Sequence, residues 1–62
     1  MEQRNFHMQE IKPDQRWRTG LNEVQVISAF GVRIVIRPQG TNLDEEITEY
    51  DFRESYSFAA SH

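Results

Sequence analysis

The chain has 62 residues, no cysteine, 37% hydrophobic and 27% charged residues, and a net charge of −3. So short a chain holds one small domain, near the size where burial only just outweighs chain entropy, and without cysteine it has neither a disulfide framework nor a thiolate zinc site. Its start, MEQRNFHMQE, lacks the apolar run of a signal peptide, and no stretch approaches the roughly 20 apolar residues of a membrane span, so a cytoplasmic protein without membrane contact is expected.

In residues 1–12, Phe6, Met8 and Ile11 follow no sustained period, which predicts a tail or an edge strand. Pro13 and Asp14 then form a turn into a first strand, where Trp17 points inward and Arg16 and Arg18 outward. After the loop TGLN, a second strand runs from Glu23 to Ser28, with Val24 and Val26 on one face and Gln25 and Ile27 on the other. SAFG is a tight connection, and Val32 to Arg37 alternates Val32, Ile34 and Ile36 against Arg33, Val35 and Arg37, the clearest period-2 pattern in the chain.

Pro38, Gly40 and Asn42 end that strand. EEIT at 45–48 reads as a short fourth strand carrying Ile47 inward; a helix from Leu43 to Phe52 is the alternative, since Leu43, Ile47 and Tyr50 fall at helical spacing. Asp51 and Glu54 suit the start of one helical turn, SYSF a last strand, and AASH a frayed end at 59–62. The element order predicts an all-β, SH3-like five-stranded barrel over residues 13–58, with one helical turn before the last strand. Its expected core is Trp17, Val24, Val26, Val32, Ile34, Ile36, Ile47, Phe52 and Phe58.

The runs QRWR, EVQVI, GVRIVIR and YDFRESYSF resemble the small SH3-like proteins encoded by temperate phages and prophages, whose pattern has a Gln-x-Trp opening, a Val-rich hairpin and a closing aromatic segment. The chain departs from that pattern at Asp14, where the family carries glycine after the first proline. The resemblance implies a phage or mobile-element origin and a bacterial host, and little about mechanism.

Charge is unevenly spread: residues 1–40 hold six Lys/Arg against four Asp/Glu, and residues 41–62 hold one against six. If Trp17, Ile34 and Ile36 point inward, then Arg16, Arg18, Ile27, Arg33, Val35 and Arg37 share the outer side, an apolar centre with a cationic surround. That pattern fits a solvated face, a face binding a host protein, or, third in order, a nucleic-acid face. Asp44, Glu45, Glu46, Glu49 and Asp51 form a second candidate surface, acidic, without the glycine-turned loop of a calcium site. The only histidines, His7 and His62, fall in the expected tails, so no catalytic constellation, metal site or cofactor motif is read. The reading is a non-enzymatic adaptor or inhibitor, monomeric or weakly dimeric. A small nucleic-acid-binding regulator, using the same arginines on phosphates, is the alternative.

Overall fold

The computed structural model describes residues 9–60. Five strands, β1 (Arg16–Thr19), β2 (Asn22–Phe30), β3 (Arg33–Pro38), β4 (Glu45–Thr48) and β5 (Ser57–Ala60), form one antiparallel sheet, with a helix, α1 (Glu49–Ser55), before the last strand. The strand number and the helix position are those expected from the sequence. The spatial order is β4-β3-β2-β1-β5, so the first four strands are sequential neighbours and β5 returns to pair with β1. Of the tail or edge strand expected over residues 1–12, residues 1–8, with His7, lie outside the described residues, as does the end containing His62. Among the described residues no helix is long and apolar enough to cross a membrane.

The alternation in β2 and β3 becomes a one-sided core. Trp17, Val24, Val26, Ile34, Ile36 and Phe52 are buried, each side chain contributing about 1.5–3 kcal/mol relative to exposure. Val32, expected inside, is 67% exposed. The hairpin pairs Phe30 with Arg33, which places Gly31 and Val32 in a two-residue loop, with Gly31 at φ 63. Such a connection takes a glycine in the left-handed region and projects its second residue away from the sheet.

A register shift in β2 further alters the pattern. Val26 pairs with Ile36 and Ser28 with Val35, which leaves Ile27 as the extra residue of a bulge. Beyond it the inward position moves by one, so Ala29, paired with Ile34, packs against the core and Ser28 is exposed.

α1 covers the core side of the sheet. Phe52 is fully buried, its ring centroid 4.8 Å from that of Trp17 and 5.0 Å from that of Tyr56, which packs at the core's margin. The helix starts two residues before the expected Asp51: Thr48 is its N-cap, and its Oγ1 accepts from the Asp51 amide at 3.2 Å. Residues 43–52 thus divide between strand and helix, with Leu43 exposed in the loop before them. Tyr56 caps the helix and β5 begins at Ser57, so Ala59 and Ala60, expected to fray, lie in a strand: Ala60 pairs with Arg16, and Ala59 is the extra residue of a bulge. Phe58 meets Trp17 edge-on at 5.6 Å but stays 37% exposed, because β5 has no strand on its far side. Ile47, on the other outermost strand, is half-buried for the same reason.

The turn before β1 is held by a residue whose role the strand pattern did not reveal. Gln15, 4% exposed, accepts hydrogen bonds through Oε1 from the Trp17 indole at 3.0 Å and the Lys12 amide at 2.9 Å, and donates through Nε2 to the Glu10 carbonyl at 2.8 Å. These bonds tie residues 10–12 to the sheet, and Ile11 packs against the core. Asp14 adopts φ 74, the left-handed region that glycine takes freely and aspartate tolerates.

Candidate functional site

Strand register arranges the outer side of the sheet in rows. In one, Arg16 pairs with Gln25 and Gln25 with Arg37; in the next, Arg18 pairs with Glu23. Toward the β2–β3 loop, Ile27 and Ser28 lie opposite Val35, which pairs with Glu46 on β4, and Arg33 sits between Phe30 and Thr48. All six residues assigned to the candidate face, Arg16, Arg18, Ile27, Arg33, Val35 and Arg37, therefore belong to one continuous side of β1, β2 and β3. Ile27 and Val35 are half-buried at its centre.

Acidic residues enter that face. Arg33 reaches Glu46 at 3.2 Å, and Arg37 makes a two-point contact with Asp44, Nε donating to Oδ1 at 2.7 Å and Nη2 to Oδ2 at 3.3 Å. The Asp44 hydrogen bond, and then its charge, raise the Arg37 pKa above its ordinary value. Arg18 lies 3.9 Å from Glu23. Among the described residues Arg16 alone of the four makes no ion pair.

The acidic segment is divided rather than gathered. Asp44 and Glu46 serve the outer arginines, while Glu49 accepts from Arg53 one helical turn on at 2.9 Å. Glu45 is paired with Ile36 on the other side of β4, and Asp51 stands exposed in the first turn of α1. Among the described residues no three His, Asp or Glu side chains converge as a cation site requires.

Two features of the site were not legible beforehand. Phe30, placed by the sequence in a tight connection, is a β2 residue paired with Arg33 and 84% exposed. Beside the Arg16–Gln25–Arg37 row the turn after β3 walls a groove of about 260 Å³, to which Gln39 and Thr41 contribute. Neither could be located without the cross-strand register, because both join residues distant in sequence. No family model, curated protein or solved structure matches the chain.

Proposed function

We propose that the chain is a non-enzymatic binding module of phage or prophage type that works by occupying a surface of a bacterial host protein, as an adaptor or inhibitor. The observation that carries this reading is the composition of the outer side of β2 and β3. Ile27 and Val35 sit at the centre of a face that no element of the described chain covers, with Phe30 exposed beside them and charged residues around them. An apolar centre with a polar surround is how protein interfaces are built, with aromatic and arginine side chains as their usual anchors.

The ion pairs favour a protein partner over phosphates. Arg33 and Arg37 already hold carboxylates, so a polyanion would have to displace Glu46 and Asp44 and would then lie against them. A nucleic-acid regulator remains the second reading because exposed Phe30 beside Arg33 offers a base both a ring and a cation.

The test compares the parent with an Ile27→Glu, Val35→Glu double variant. Affinity capture from the host, with mass spectrometry, is expected to return one complex with the parent that the folded variant loses. Binding of random-sequence DNA is expected to be absent even at low salt. Strong DNA binding that falls steeply with salt, with no captured protein, would transfer the face to the second reading.

A further inference from the structure

We infer that the groove between Arg16 and Arg37 takes a single carboxylate from an acidic peptide segment of a partner protein, a specification that rests on the protein-binding reading above. The register sets Arg16, Gln25 and Arg37 side by side across β1, β2 and β3. Adjacent strands stand about 4.8 Å apart, so the backbones bearing the two guanidinium groups are about 10 Å apart, with an amide side chain between them. The turn after β3, with Gln39 and Thr41, makes this part of the face concave, a groove of about 260 Å³.

Donors are available there. Arg16 has no hydrogen-bond or ion-pair partner among the described residues. Arg37 commits Nε and Nη2 to Asp44, and its guanidinium carries further N–H groups. A planar carboxylate matches the fork of a guanidinium at two points.

The surroundings limit how much negative charge fits. Glu23 lines the groove on one side, Asp44 lies beyond Arg37 on the other, and Asp14 Oδ1 accepts from Gln25 Nε2 at 3.4 Å, so one of the Gln25 donors is already engaged. One carboxylate is attracted to Arg16 and Arg37, whereas a run of phosphates would meet Glu23 or Asp44 with its next charge. The apolar residues Ile27 and Val35 are close neighbours on the same face, so the matching segment carries its acid beside an apolar side chain.

The test is an NMR titration of the whole chain, following the Arg16 Nε–H and the Gln25 and Gln39 side-chain amide signals. Its probes are a capped peptide with one glutamate flanked by leucines, the same peptide with glutamine, and a single-stranded DNA oligomer of random sequence. The glutamate peptide is expected to give saturable shifts at concentrations on the order of millimolar, the range of a single weak contact site. The glutamine peptide, and the glutamate peptide with the Arg16→Gln variant, should bind at least about tenfold more weakly, the loss expected for a charged hydrogen-bonded contact. Equal response to the two peptides, no saturable shift, or tighter binding of the DNA would overturn the inference. The peptide comparison on the parent needs no variant to fold. Failure there would leave the capture experiment with Ile27 and Val35 variants free to support the wider protein-binding face, and a parent that captures no protein while still binding the glutamate peptide would refute only the latter.

Discussion

Along β2 and β3 the inner residues Val24, Val26, Ile34 and Ile36 are at most 3% exposed, whereas outward Gln25, Ile27, Val35 and Arg37 are only half-buried and Arg33 is exposed. Both sides belong to the same strands with the same alternation. They differ in what covers them: α1 packs Phe52 onto Trp17 on the inner side, while in the described chain no element crosses the outer one. The described residues supply one cover, so the inner side is constrained by packing while the outer side is left to solvent or to other contacts.

The largest effect that separates the two sides is expected from Phe52→Ala. Removing the ring from the centre of the cover costs about 3–5 kcal/mol, comparable to the whole stability of so small a domain, and should abolish the cooperative thermal transition. An unchanged melt would show that α1 is not what makes the inner side different.

Gln15→Ala comes next. It leaves the Trp17 indole N–H and the Lys12 amide without their partner and should cost about 1–3 kcal/mol in urea denaturation. A negligible change would mean that water replaces the side chain and that the fastening of residues 10–12 is incidental.

Backbone strain at the same turn gives a smaller, signed test. Asp14→Val forces a β-branched residue to φ 74 and should destabilise by about 1–2 kcal/mol, while Asp14→Gly should stay within about 0.5 kcal/mol of the parent. Equal melting temperatures for the two variants would show that the turn relaxes out of this conformation.

The outer side should respond least. Val35→Ser is expected to change stability by no more than about 1 kcal/mol while weakening the proposed protein complex, so that binding and stability separate on this side as they cannot on the other. Arg37→Glu should melt below Arg16→Glu, because it sets a second negative charge against Asp44 and the Arg16 substitution does not. Stability carried by the raised Arg37 pKa is fully present below the ordinary arginine value and is lost only as pH rises through the higher folded value, far above neutrality. Across neutral pH this group should therefore contribute no change in melting temperature.

Trp17, Val24, Val26, Ile34, Ile36 and Phe52 were legible as core because alternation and side-chain character are local properties, and the six outer residues followed from the same alternation. The misplaced residues have local explanations that depend on pairing. Val32 was assigned to the face of Ile34 by parity, but the pairing of Phe30 with Arg33 converts it to a loop residue. Phe58 has the correct face and too little cover, since only the sheet order makes β5 outermost.

The sequence by itself determined the first three strands, their inward side and a helical turn before the last strand, since backbone preference and hydrophobic period act over a few neighbouring residues. Only the tertiary structure decided where the bulge at Ile27 falls, that Asp44 and Glu46 would sit beside Arg37 and Arg33 rather than form an acidic surface of their own, and that Arg16 would be left beside an open groove. Those outcomes depend on which residues of different strands come to lie opposite one another. Register, set by the collective fit of the core, makes that choice, and a single residue's shift would change it for the whole face.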